Sequence, residues 1–172
     1  MFAETDRVRF RQLSAKDAEF IYRLYNSDEF LRFVGDKNLR SVRDAKYYLL
    51  DSFLPMYQIA GLGLYLVELK ESKTPIGICG LVKRENLEDI DIGYGFLPEY
   101  CNKGYGFESA QVTLEYARTS LGLAKLVAIT LSHNLPCIRL LEKLGLSFER
   151  NVEEAVSGPS LALYSVTFKP AS

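Results

Sequence analysis

Apolar and polar residues alternate loosely over positions 8–13, the two-residue period of a half-buried strand. Ser14 with Asp17 three positions on is a helix-start signal, after which Ala18, Ile21, Leu24 and Tyr25 keep the spacing of one helical face. Ser41 and Asp44 repeat the signal ahead of a second helix with Ala45, Tyr48, Leu49 and Phe53 on its apolar side. Positions 64–69 and 76–82 read as strands, and the polar run between them predicts an antiparallel hairpin. A third strand over 90–97 places Ile90, Ile92, Tyr94 and Phe96 on one face and Asp91, Gly93 and Gly95 on the other. Asp91 therefore belongs to a face of glycines.

Phe107, Ala110, Leu114, Ala117 and Leu121 then recur at three- and four-residue intervals, predicting an amphipathic helix that stops near Gly122. A compact apolar strand follows at 125–131. Asn134 with Pro136 just inside starts another helix, buried through Ile138, Leu141 and Leu144 and ended by Gly145. A last strand is predicted over 161–168. Strand, two helices, three strands, helix, strand, helix and at least one final strand make an α/β chain of the mixed-sheet α+β kind, with helices on both faces.

At 172 residues, 48% hydrophobic and 25% charged, the chain has the composition of one globular domain spanning 1–172. No apolar run approaches the roughly 18 residues of a membrane span, and the first ten residues lack the apolar centre of a secretory signal, so a cytoplasmic protein without a membrane partner is expected. Net charge is −1 and the 21 basic residues are scattered, which argues against nucleic acid as a partner. Cys79, Cys101 and Cys137 form no CxxC pair and His133 is the only histidine, so no metal is expected. Free thiols in a reducing compartment fit that pattern.

Chemistry concentrates between the third predicted strand and the helix near Tyr105. The run Cys101-Asn102-Lys103-Gly104-Tyr105-Gly106 leads into a helix N-terminus, where free amides and the positive dipole end suit a pyrophosphate and glycines allow close approach. Taken alone, Gly104-x-Gly106 fits an ordinary tight turn equally well. Ser109 occupies the third-glycine position of a dinucleotide fingerprint, and neither a P-loop nor a GxSxG elbow occurs. His133, lying just before a helix with no serine nucleophile in reach of a motif, reads as structural.

Residues 91–99, DIGYGFLPE, followed by 103–110, KGYGFESA, closely resemble the central motif of GNAT acetyltransferases, and 134–146, NLPCIRLLEKLGL, resembles the motif that follows it in that family. The opening 5–11, TDRVRFR, with Asp17 is similar to the start of the ribosomal-protein N-terminal acetyltransferase branch. The resemblance implies a GNAT fold in which the strands at 90–97 and 125–131 splay apart around acetyl-CoA. It further implies that the backbone of Phe96 and Leu97 holds the pantetheine, that amides from Asn102, Lys103, Gly104, Tyr105, Gly106 and Phe107 hold the pyrophosphate, and that Asn134 binds the pantetheine arm. The family loop usually carries Gln or Arg where this chain has Cys101.

Members of that family pass acetyl directly from the thioester to an amine, so one group must take a proton from the amine and another return one to the thiolate. Asp91 is the candidate base, with Glu88 and Asp89 as alternatives acting through water; an edge carboxylate bound to loop backbone is the competing reading. Many relatives use a tyrosine seven residues after the Asn, where this chain has Leu141, and others a serine at the position of Cys137. An ordinary thiol, pKa about 8.5, is mostly protonated at pH 7 and can donate to a thiolate. Cys137 is thus the candidate acid and a site for a mixed disulfide with CoA, against its reading as a small buried residue, in which case water or Tyr105 donates. The acceptor is a peptide N-terminus or a small amine such as a polyamine or aminoglycoside, chosen by loops 33–40 and 151–160; a non-catalytic acetyl-CoA binder is the reading outside enzymology. Related enzymes are often dimers, and the last strand is the segment expected to pair across an interface.

Overall fold

The computed structural model describes residues 3–153 and 160–169. Seven strands form one sheet in the order β1-β2-β3-β4-β5-β7-β6: β1 Val8–Arg11, β2 Gly63–Leu69, β3 Pro75–Val82, β4 Asp91–Phe96, β5 Lys125–Leu131, β6 Ser147–Glu153 and β7 Ser160–Thr167. Every neighbouring pair is antiparallel except β4 and β5, which are parallel. Helices α1 Ala18–Tyr25, α2 Asp28–Phe33 and α3 Val42–Tyr48 pack with Leu66 and Ile78 on one face. On the other face lie α4 Tyr105–Thr119 and α5 Leu135–Lys143, over Leu81, Ile92, Leu126 and Ala128. Covering both faces is what lets the parallel junction sit in the middle of the sheet.

The capping signals work as read. The Asp17 carboxylate accepts the Ser14 N–H at 2.8 Å, and the Ser41 hydroxyl accepts the Asp44 N–H at 3.1 Å. Asp17 also receives both ends of the Arg11 guanidinium, at 2.8 and 3.0 Å. Arg11 reaches buried Glu68 at 3.3 Å, and Arg9 meets the same carboxylate at 2.6 Å. Two strands and the start of α1 are thereby pinned by charges that satisfy one another below the surface.

Two elements were not foreseen, α2 and β6, and each is short or polar: α2 spans DEFLRF, and β6 spans SFERNVE at the sheet's edge. The second predicted helix is regular only to Tyr48, then widens into a π turn and a 3-10 turn before β2. Pro55 cannot donate to that backbone ladder. The expectation that the last strand pairs across a dimer interface does not hold, because β7 is hydrogen-bonded to β5 on one edge and β6 on the other.

Within this sheet the paired strands β2 and β3 approach closely at Gly80, where a methyl group would fall 1.9 Å from the Gly63 carbonyl oxygen. Backbone cannot yield as a side-chain tip can. Gly80→Ala should therefore destabilise the protein by about 3 kcal/mol, at the upper end of ordinary single substitutions, measured as a lowered urea midpoint at unchanged slope.

Candidate active site

Strands β4 and β5 share one register pair, Asp91 with Val127, closed by the Val127 N–H to Ile90 carbonyl bond at 3.1 Å. Beyond it the two strands part. The Leu97 N–H donates to Ile76 at 2.9 Å, and this fixes which amides face which neighbour: in an antiparallel ladder the groups alternate, so Gly93 and Gly95 serve β3 whereas Tyr94 and Phe96 turn theirs toward the opening beside β5. Phe96 thus stands where its motif implies. Leu97 does not offer its backbone in the same way, since its carbonyl too is engaged, by the Tyr100 N–H at 2.9 Å.

A cavity of about 300 Å³ passes through the sheet at this split. Asp91, Arg84 and Gly93 line it on the side of α1 to α3, and Cys137 and Tyr94 on the side of α5. The face of glycines has a steric use here. A methyl group at Gly95 would strike the Phe30 ring at 2.1 Å, so α2 can press against β4 only because that position is bare.

Asp91 is buried, and the Arg84 Nε donates to its Oδ1 at 3.1 Å. Burial pushes its carboxyl above the usual aspartate range, and the Arg84 guanidinium opposes that rise. Glu88 and Asp89 are not among the lining residues: Asp89 lies 3.8 Å from Lys125, and the Glu88 carbonyl accepts from Lys83 at 2.9 Å.

Cys137 is half-buried at the start of α5, where the Asn134 side chain caps the helix by accepting the Cys137 N–H at 3.3 Å. Its Sγ lies 3.2 Å from the Tyr94 hydroxyl. Burial and the neighbouring thiol drive that phenol far above its ordinary value, so it stays protonated. Tyr94 was read only as one apolar face of a strand; its partner lies 43 positions away, and no local spacing points to it. Tyr105 is not a lining residue; the Arg7 guanidinium covers its ring at 4.3 Å. His133 is exposed and packs against Phe33, ring centres 5.7 Å apart.

At the N-terminus of α4 the first intrahelical bond runs from the Glu108 N–H to the Gly104 carbonyl at 3.0 Å, which leaves the Tyr105, Gly106 and Phe107 amides without helical acceptors. Asn102 and Gly104 are both left-handed, φ 60° and 86°, the backbone geometry of anion-binding concavities. Lys103 and Arg7 bring positive charge to its rim; Arg7 donates to the Lys103 carbonyl at 3.2 Å and pairs with Glu108 at 2.9 Å. The Cys101 thiol faces the Phe96 and Leu97 carbonyls at 3.8 and 3.5 Å and Glu29 at 3.7 Å, and burial with that acid pushes it up to about 11. Of the loops expected to choose the acceptor, 33–40 contributes Phe33, Val34 and Lys37 to the cavity, whereas 154–159 lie outside the described residues. No group of three or more metal-ligating side chains occurs among the described residues, and no helix there is long and apolar enough to cross a membrane.

A mixed sheet split between two parallel strands, with a glycine-led helix start beside the split, defines the class of N-acyltransferases. The chain belongs to the acetyltransferase (GNAT) domain family, whose model matches residues 7–147. It is 30% identical over 147 residues to the uncharacterized N-acetyltransferase YoaA of Bacillus subtilis, covering 85% of this chain and 82% of that one. An acetyltransferase from Agrobacterium tumefaciens superposes with a TM-score of 0.83 at 20% identity, over 98% of this chain and 95% of the other. RimL, a ribosomal alpha-N-protein acetyltransferase solved with coenzyme A joined to a cysteine by a disulfide, superposes at 0.82 and 11% identity, over 97% and 98% of the two chains. At those identities the two structures speak for the fold.

The Asp91 environment makes a pH prediction. A carboxyl whose folded value is raised contributes most to stability below its unfolded value, and that contribution is lost as pH rises through the folded value. Carbon NMR of the side-chain carboxyl should give a midpoint above the ordinary aspartate range. The corresponding fall in stability should vanish in Asp91→Asn; a midpoint at or below that range would contradict the burial argument.

Proposed function

We propose that this protein, as one acetyltransferase domain over residues 1–172, transfers the acetyl group of acetyl-CoA to an α-amine of the kind found at a protein N-terminus. The observation that carries the reading is one cavity at the split in the sheet, lined by both Asp91 and Cys137. Acetyl-CoA would lay its pyrophosphate on the amides from Asn102 to Phe107. Its pantetheine would run along the outward amides of Tyr94 and Phe96, where Leu97 has nothing comparable to give, with Asn134 offering the part of its amide not used in capping α5.

Asp91 takes a proton as the amine nitrogen bonds to the thioester carbonyl carbon; the carbon–sulfur bond then breaks and Cys137 returns a proton to the departing thiolate. The Tyr94 hydroxyl, 3.2 Å from that sulfur, steadies the Cys137 thiolate left behind until solvent restores it. An α-amine of pKa near 8 is roughly one-tenth neutral at pH 7, against about one part in a few thousand for a lysine, so a partly buried carboxylate suffices for the former.

Acetyl-CoA at a hundredfold excess over its Kd should stabilise the protein by about 2.7 kcal/mol, seen as a raised Tm. Gly106→Val should remove that shift. Gly106 is the better probe than Gly104, because Gly104 needs its left-handed φ whereas an added Cβ at Gly106 is crowded only by the flexible tip of Leu140, at 3.3 Å, with the Phe96 ring at ordinary contact distance, 3.7 Å. A variant that keeps wild-type affinity would displace the pyrophosphate from this turn.

Cys137→Ala should lower kcat by about a hundredfold or more with little change in acetyl-CoA affinity, while Cys137→Ser retains much of the activity. The comparison belongs in pre-steady-state acetyl transfer, where product release cannot mask chemistry. An unchanged transfer rate in the alanine variant would remove Cys137 from the mechanism.

A further inference from the structure

Charge at the acceptor end of the cavity narrows the substrate further, on the reading just given of that cavity as the site of transfer. Lys37 and Arg84 line it, and the Arg32 guanidinium lies 4.8 Å from the ring centre of Phe33, itself a lining residue. Among the described residues neither Arg32 nor Lys37 forms an ion pair with a carboxylate. Arg84 spends its Nε on Asp91 and has its two terminal nitrogens left. Of the neighbouring acids, Asp36 is held by Arg40 at 2.8 Å, Glu29 lies against the Cys101 thiol at 3.7 Å, and Asp28 sits one helical turn before Arg32; none of the three lines the cavity. Asp91 is the one lining carboxylate among the described residues, against two lining cations, Lys37 and Arg84, with Arg32 beside Phe33 outside the lining.

Aromatic rings nearby do not substitute for acids in holding a cation. Tyr25 packs on Phe30 at 4.9 Å and on Tyr48 at 5.4 Å, and Tyr48 on Phe53 at 5.5 Å. These contacts are tilted or edge-to-face, so each sets one ring's edge against another's face, and the Phe33 face is already taken by Arg32 at 4.8 Å, whereas recognition of an ammonium by aromatics needs ring faces open to it. A polycation would thus enter a positively charged, closed-faced site. An anion would be drawn in and could use the planar fork of Arg84.

We infer that the acceptor is an α-amine followed within a few residues by carboxylate side chains, an acidic N-terminal segment whose carboxylates meet Lys37, Arg32 and the terminal nitrogens of Arg84. The amine itself goes to Asp91. The apolar surface of Phe33 and Val34 covers the segment's stem.

The test uses the full chain with acetyl-CoA and three peptides that share a first residue but carry Asp, Gln or Lys at the next three positions, with spermidine as a fourth acceptor. The acidic peptide should exceed the lysine peptide in kcat/KM by about tenfold or more at low salt, and the ratio should shrink as salt screens the exposed cations. Lys37→Glu should reduce the ratio about fivefold, through a raised KM for the acidic peptide and a lowered KM for the lysine peptide. Equal rates on the three peptides would overturn the charge inference and leave the α-amine reading standing. Transfer to spermidine alone, or to none of the four, would overturn both.

Discussion

Everything at the site depends on a sheet that is joined and then deliberately left open. One register pair, Asp91 with Val127, with the Val127 N–H to Ile90 bond beside it, keeps β4 and β5 in a single sheet, and no further register pair joins them. A continuous ladder would consume the outward amides of Tyr94 and Phe96; a complete separation would leave two half-sheets with exposed edges. The single junction gives an edge whose hydrogen-bonding groups are protected by protein on every other side. It also makes a passage through the sheet, so that groups on opposite faces, Asp91 and Cys137, share one cavity.

Keeping that passage open requires that both faces be held firmly by other means. On one, the Arg9, Arg11, Glu68 and Asp17 network fixes β1, β2 and the start of α1. Phe30 then presses on the bare backbone at Gly95. On the other, α4 and α5 share the core of Leu126, Ala128 and Leu141, and Asn134 caps the helix that carries Cys137. Lysine 143 even lies over the Phe107 ring at 4.1 Å, joining the end of α5 to the start of α4.

The parts of this that could be read from the chain are those with a local period or a local turn signal. Strand alternation put Asp91 on the glycine face, and the capping residues Ser14, Ser41 and Asn134 all cap. The glycines ahead of Tyr105 marked the helix start with its unbonded amides. What stayed hidden depends on pairing between distant segments. The amide of Leu97 turns to β3 and that of Tyr94 to the opening because the bond from Leu97 to Ile76 sets the parity of the strand, and parity relative to a neighbour is not written in alternation. Tyr94 and Cys137 meet only once β4 and α5 are packed. The edge strand β6 was missed because an exposed edge does not demand apolar residues, and Phe148, Glu149 and Arg150 all face solvent.

The stitch between the first strand and the phosphate-type turn has a consequence for how the chain folds. Thr5 and Arg7 both bond Glu108, and Arg7 and Glu108 stand 101 positions apart. Strands β1 to β4 can assemble from neighbour to neighbour as they emerge, each adjacent pair antiparallel. The turn before α4 acquires its last contacts only once β1 to β4 have carried residues 5–7 into reach, because closing so long a loop in the unfolded chain costs entropy before the contact repays it. This turn is therefore a late-maturing piece of the molecule, completed on a sheet already formed, and its shape is set by the far end of the chain as much as by its own glycines.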